Sequence, residues 1–370
     1  MKPKKNIYLI AAGALVLLMA AIWLMSGSSN GSAGGEGAAF MQGGTGGPMG
    51  SGTHPLELAG MVSPDRALDD YRTFAIYPPH SRPLGVQNED MLHPNRRYET
   101  LLPIEEDSEI YYLFTADKYR VIGTEPITFT LYAKKGSSMS KKRLEIDLTK
   151  SVIRKGSDPA TAKHVSELPM VKNDSSEFSA EYNPSQIMPS VKTAGKYLAS
   201  VAFKVSGESA SFDIPFEYFP EQTIPARFTG NFTEEIKQGS LYINAEINVE
   251  REGFYVIDAN VFNELGGPIS YAIIKTELAK GKSKIPIQIF GKIIHDSGSE
   301  PPYIIKNLRG FRFIEVTKPD IELMDREMVP EYEKEYKTKK YSKKQFSDKE
   351  WDSEEKKRRI EFLEEQSGMK

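Results

Sequence analysis

Four oxygen-bearing side chains, Asp258, Asn260, Asn263 and Glu264, fall close together at the end of a predicted strand and run into the turn Glu264-Leu265-Gly266-Gly267-Pro268. Ca²⁺ is bound by oxygen ligands of this kind, so the cluster is the candidate metal site and Ca²⁺ the candidate ion. The same residue types also bond their own turn backbone at strand ends, which leaves a purely local alternative open. The histidines offer less. His54, His80, His93, His164 and His295 are far apart and show no H-E-x-x-H spacing, so neither a zinc site nor a catalytic triad is expected. Gly27-Ser28-Ser29-Asn30-Gly31 matches the G-x-S-x-G nucleophile pattern, but that pattern works only between a strand and a helix, which a Gly/Ser run cannot supply. No catalytic residue and no cofactor follow from these patterns.

Lys134, Lys135, Lys141, Lys142 and Arg143 bracket Gly136-Ser137-Ser138-Met139-Ser140, which reads as a positively charged hairpin tip. Such a tip is solvated by default, and contact with an anionic envelope polymer or lipid head groups is the alternative. Phe129 and Tyr132 belong to the strand and not to a stacking platform, so nucleic acid is not an expected partner.

The elements that would position these residues are strands. Ile127, Phe129 and Leu131 alternate with polar residues, as do Leu144, Ile146 and Leu148, then Tyr197 to Val205 and Phe212 to Tyr218. Period two with one polar face predicts antiparallel sheets, and an Ig-like β-sandwich over 107–220 is the simplest packing. The pattern resumes in SLYINAEINV and KIPIQIF, with GFYVIDANVF between them as a more fully buried strand, giving a second β-sandwich over 221–318. Pro220 and Pro225 flank only a few residues, so stiff coupling of the two is expected. Before them, 53–106 reads as an extended strap. Tyr77 to Gly85, YPPHSRPLG, has three prolines that fix φ and remove donors, and its His80 and Arg82 are read as strap side chains facing water.

The start of the chain, MKPKKNIYLIAAGALVLLMAAIWLMSG, is uncharged from Ile7 to Met25. A helix of that length spans about 28 Å, close to the hydrocarbon thickness of a bilayer. Trp23, Leu24 and Met25 stand where a signal-peptide cleavage site needs small residues, and Lys2, Lys4 and Lys5 precede the segment. The reading is a transmembrane signal anchor over 1–25, N-terminus cytoplasmic and body periplasmic or extracellular; a cleaved signal sequence would export the body as well. Residues 26–52 hold eleven glycines and five serines and form a flexible linker.

With a formal charge of -3, the chain carries no global basic field, and with no cysteine it can have neither a disulfide framework nor a thiolate metal site. The last segment, 319–370, reads as a charged tail. Of its final forty residues, eleven are acidic and twelve basic, which predicts a solvated, partly helical stretch that orders on binding a partner. Its helix is expected from about Asp348 to Gln366, and Tyr332, Tyr336, Tyr341, Phe346, Trp351 and Phe362 are its candidate anchors.

In the second sandwich, Phe228-Thr229-Gly230, GFYVIDANVFNELGGPISYA, IFGKIIHDSG and PPYIIKNLRGFRF resemble the repeat module of bacterial exported proteins called choice-of-anchor X proteins. The likeness covers roughly 226–320. It implies an Ig-like module on a bacterial envelope protein whose anchor varies between members and whose activity is not defined.

The fold class expected is therefore all-β, two tandem Ig-like sandwiches after an N-terminal transmembrane helix and linker. The function expected is a non-enzymatic binding, scaffold or adhesion module held at the inner membrane, with a protein partner in the envelope. The alternative is an exported enzyme acting on cell-envelope glycan through paired carboxylates.

Overall fold

The computed structural model describes residues 64–97, 99–136, 143–173, 175–314 and 325–368. The expected membrane helix (1–25), the linker (26–52), His54, Lys141 and Lys142 lie outside them. Among the described residues, no helix is long and apolar enough to cross a membrane. The described chain is mostly β, and all of its strand pairings but one are antiparallel.

A helix, Pro64–Phe74, and a strap strand, β1 (Ser81–Pro83), come first. The first sheet pair is then built from β2 (Leu102–Pro103), β3 (Ile110–Ala116), β4 (Arg120–Ile122), β5 (Ile127–Lys135), β6 (Arg143–Leu144), β7 (Asp147–Lys155), β8 (Lys163–Glu167), β9 (Val171–Lys172), β10 (Phe178–Tyr182), β11 (Gly195–Val205) and β12 (Glu208–Phe219). One sheet runs β2-β3-β5-β10-β9 with β6 beside β5, and the other runs β4-β12-β11-β7-β8. Because alternate side chains share a face, Ile127, Phe129 and Leu131 of β5 meet Tyr197, Ala199, Val201 and Phe203 of β11 in one core. The Phe129 and Phe216 rings pack edge to face at 5.8 Å, and Tyr197 stacks on Phe216 at 5.5 Å. Such pairs add about 1 kcal/mol each to the burial of their area.

The second sheet pair follows from β13 (Ala226–Lys237), β14 (Ser240–Val249), β15 (Gly253–Phe262), β16 (Pro268–Leu278), β17 (Gly281–Ile289), β18 (Ile304–Phe313), β19 (Arg326–Val329) and β20 (Tyr336–Lys337). Its larger sheet runs β1-β16-β15-β18-β19 with β20 on β18, and the smaller runs β13-β14-β17. Leu241, Ile243, Ala245, Ile247 and Val249 of β14 and Ile285, Ile287 and Ile289 of β17 face Tyr255, Ile257, Ala259 and Val261 of β15. All of them are buried, each aliphatic contributing roughly 2 kcal/mol. Strand β15 is buried on both faces, as its continuous apolar run leads one to expect, and Asn260 on its outer face donates to Met91 O of the strap.

That strap is continuous with the sheet. Strand β1 pairs antiparallel with β16, and its buried Ser81 hydroxyl donates to the Gln288 carbonyl at 2.8 Å and accepts from Phe290 N at 3.1 Å. One side chain thus ties the edge of the larger sheet to the last strand of the smaller. The strap's proline-rich stretch costs it little here, since an edge strand needs donors on one side only.

The tail departs from the expectation. Strands β19 and β20 both pair with β18, Val329 and Phe346 are buried in the second core, and Phe232 stacks on Tyr336 at 4.2 Å between centroids. Ser347 N donates to Gly239 O at 2.9 Å. The physical reason is division of labour: apolar and aromatic side chains point inward while Lys and Glu stay in water. The helix begins at Glu354, capped by Ser353, not near Asp348, and runs to Ser367. It packs on Pro64–Phe74, where Arg72 Nη2 meets Glu364 Oε1 at 2.8 Å, and Trp351 N donates to Ile76 O at 2.9 Å.

Candidate functional site

Asp258 and Asn260 lie two residues apart on β15, so they share its outer face, opposite the core. Strand register sets Arg309 of β18 across from Asp258, and its Nη2 lies 2.6 Å from Asp258 Oδ1. That contact is an ion pair whose N–H direction misses hydrogen-bond geometry, leaving Oδ1 buried without a hydrogen bond among the described residues. Burial pushes the Asp258 carboxyl up to about 6, with Arg309 and Arg120 opposing and Glu331 reinforcing the shift. Tyr271, in register with Asn260 on β16, has its hydroxyl pushed up by burial first and by Asp258 second.

Asn260 is fully buried and reaches the strap. Its Nδ2 donates to Met91 O at 2.8 Å and to Asn307 Oδ1 at 3.1 Å, and Asn307 Nδ2 donates to Glu331 Oε1 at 2.8 Å. Asn307 takes a φ of 51° at the irregularity in the pairing of β15 with β18, one of the residue types that tolerates that region. Asn260 Oδ1 has no hydrogen-bond partner among the described residues. A few residues on, the strap fastens to the first sheet pair: Asn95 Nδ2 donates to Arg120 O at 2.8 Å, Arg120 N donates to Asn95 Oδ1 at 2.9 Å, and Tyr119 Oη donates to Pro94 O at 2.8 Å. The strap therefore bridges the two sheet pairs.

A second fastening grips the connecting segment. Pro220 caps one 3₁₀ turn, Glu221–Thr223, before Ile224 and Pro225. The Arg251 guanidinium donates to the carbonyls of Gln222 and Thr223, the latter at 3.2 Å, and to Glu327. Arg312 Nε donates to the other oxygen of Glu327 at 2.9 Å, and Tyr255 Oη donates to Pro225 O at 3.2 Å. Charge-assisted bonds of this kind are the strong ones, and here they hold backbone that would otherwise hinge.

The four candidate calcium ligands do not converge. Asn263 Oδ1 accepts from Leu265 N at 3.0 Å and from Gly267 N at 2.7 Å, so its oxygen is spent on its own turn. Glu264 is exposed and pairs with Lys337 at 2.5 Å, which holds its carboxyl below the usual range. Asp258 faces Arg309 and Asn260 faces the strap, so the set divides among four different partners. Among the described residues, no group of three or more His, Cys, Asp or Glu side chains is arranged to hold a metal ion.

The other candidates also resolve into local partners. His80 bonds Gln288 Oε1 at 2.5 Å, His295 Nε2 lies 3.1 Å from Phe346 O, and His164 lies 3.8 Å from Glu167. Arg82 is largely covered, not water-facing, and burial lowers its guanidinium. At the hairpin tip Lys135 pairs with Glu109 at 2.8 Å and Arg143 with Glu177 at 3.6 Å, so part of the positive charge is answered. Arg251, Glu327 and Arg309 were not singled out from the sequence. The available signal was the pair Asp258 and Asn260 inside an otherwise apolar strand, which demands polar partners on a covered face.

No family model and no curated protein matches the chain. Among solved structures, a DUF4785 family protein from Legionella pneumophila is similar over 63% of this chain, at 15% identity and a TM-score of 0.41. The FN1-FN3 domains of chicken CNTN1 are similar over 62% of this chain and 75% of their own length, at 7% identity and a TM-score of 0.23. The YadV chaperone is similar over 60% of this chain and all of its own, at 12% identity and a TM-score of 0.17. The match to the Legionella protein spans 58% of that protein's length.

Proposed function

We propose that this chain is a single-pass protein of a bacterial inner membrane that presents a stiff, non-enzymatic binding or scaffold body outside it. In this reading the two sheet pairs are tandem Ig-like sandwiches, the second of the choice-of-anchor X kind, and the body docks a protein partner of the envelope. The observation that carries the reading is the double fastening of the two sheet pairs, by Arg251 on the connecting carbonyls and by the strap between Met91 and Asn95. Interfaces between neighbouring domains are mobile by default, so two independent fastenings suit a body that must hold a partner in fixed geometry.

The test uses the full chain in its membrane. A reporter active only in the periplasm, fused after Lys370, should be active and should fractionate with membrane; a soluble form beginning near Ser26 contradicts the anchor. Crosslinking in intact cells should give one discrete adduct with an envelope protein. Hydrolysis of envelope glycan by the purified full chain, lost on replacing a single carboxylate, overturns the binding reading in favour of an enzyme.

A further inference from the structure

Leu265 is 96% exposed and Val86 is 74% exposed, the two largest values for large apolar side chains among the described residues. Both stand at turn tips on the same end of the larger sheet of the second pair. Strand β1 lies beside β16 with Pro83 opposite Ser270, and Leu84 N donates to Ile269 O at 3.2 Å. The turn that follows β1 therefore leaves the sheet next to the turn that joins β15 to β16.

Both turns are built so that the apolar side chain cannot fold back. Asn263 N donates to Gly267 O at 2.8 Å and Gly266 N to Asn263 O at 3.0 Å, while Asn263 Oδ1 takes the amides of Leu265 and Gly267. Gly266 sits at φ +83°, a conformation that a side chain would strain. Around Val86, Gly85 N donates to Asn88 Oδ1 at 3.0 Å and Asn88 N to Gly85 O at 3.1 Å. Leucine and valine contribute nothing to the fold at these tips, where polar residues or glycine would be expected.

We infer that this end of the protein rests on a lipid bilayer, with Leu265 and Val86 entering the interfacial layer. The inference depends on the membrane-tethered reading above and adds to it the face that meets the membrane. The occupant follows from area and position. A stable protein interface buries about 800 Å² on each partner, far more than two separate turn tips offer, whereas a bilayer demands neither that area nor a complementary shape. Lys337 pairs with Glu264 at 2.5 Å and Lys306 with Glu335 at 2.6 Å, and the charges that follow Val86 are the exposed acidic Glu89 and Asp90, so apolar contact must supply the attraction.

The strap also touches this end. Tyr77 Oη donates to Asp296 Oδ2 at 2.6 Å, and Asn263 Nδ2 donates to Ser299 Oγ at 3.3 Å, so one short segment touches both the strap and the Leu265 turn. A flexible chain of the length expected for the linker, 26–52, has a root-mean-square reach of about 30 Å. Tethering at that distance gives effective concentrations on the order of millimolar, which lets a weak contact persist.

The absence of cysteine makes the test direct. Leu265→Cys, Val86→Cys and, as control, Val171→Cys each receive one environment-sensitive fluorophore; Val171 is 68% exposed on β9 of the first sheet pair. The full chain is reconstituted in vesicles of phosphatidylethanolamine and phosphatidylglycerol. Blue-shifted emission, quenched by doxyl-labelled lipid, is expected at 265 and 86 but not at 171, and high salt should not reverse it. Flotation of the same vesicles separates the two claims. A chain that fails to float overturns the tethered reading and this inference with it. A chain that floats with water-like emission at 265 overturns the inference alone, as does a blue shift that lipid quencher leaves intact, the mark of contact between protein copies.

Discussion

Tyr336 Oη donates to Glu234 Oε1 at 2.6 Å, joining strand β13 to a strand on the far side of the second core that follows it by 102 residues. Tyr341 Oη donates to the other carboxylate oxygen at 2.6 Å, and Lys339 N adds bonds of 3.1 and 3.2 Å. One carboxylate thus closes the tail onto the sheet, and the Tyr336 and Tyr341 hydroxyls are pushed up by burial and by that carboxylate.

Removing Glu234 should loosen the tail. Because hydrogen bonds to a charged group are worth about 1.5–3 kcal/mol each, Glu234→Ala is expected to lower stability by roughly 3 kcal/mol in urea unfolding. A chain ending before Arg326 should fare worse. Loss of Val329 and Phe346 from the core is expected to cost more than about 4 kcal/mol, and a truncated chain as stable as the full one would show that the tail is not structural.

The strands were legible in the sequence wherever one face meets water. Tyr197, Ala199, Val201, Phe203 and Val205 alternate and are all buried, as are Leu241, Ile243, Ala245, Ile247 and Val249 on β14. The tail was not, because from Tyr332 to Trp351 its aromatics recur at four- to five-residue intervals among charges and match neither period two nor period 3.6. The four candidate calcium ligands go to separate partners for a related reason. Composition counts oxygen donors, but only register reveals that Arg309 stands opposite Asp258, or that Asn263 turns its oxygen onto its own backbone. GFYVIDANVF was visibly more buried than its neighbours, yet the strap that covers it lies about 170 residues earlier, a distance no local pattern reports.

Asp258 should write a signature into the pH dependence of stability. Its folded value of about 6 lies above the ordinary 3.8, so between these values the folded state holds a proton that the unfolded state has released. Its contribution to stability is therefore full below the unfolded value and is lost as pH rises through the folded one, a swing of roughly 3 kcal/mol. Urea midpoints of the native chain minus those of Asp258→Asn should fall as pH goes from 4 to 7. A flat difference would mean that the carboxyl is already ionised across that range.

Ser81 is a further check on the strap. With its hydroxyl gone, the Gln288 carbonyl and the Phe290 amide lose a buried partner, so Ser81→Ala is expected to cost about 1–3 kcal/mol by thermal unfolding. Ser81→Thr, which keeps the hydroxyl, should recover part of it.

The central claim is that the two sheet pairs form one stiff body. It is tested most directly by pulsed electron spin resonance on the cysteine-free chain, with one spin label on exposed Val171 of the first pair and one on exposed Lys282 of the second. A single narrow distance distribution is expected in the native chain, and a broad one when Arg251→Ala releases the connecting carbonyls of Gln222 and Thr223. A distribution already broad in the native chain, and unchanged by Arg251→Ala, would contradict it.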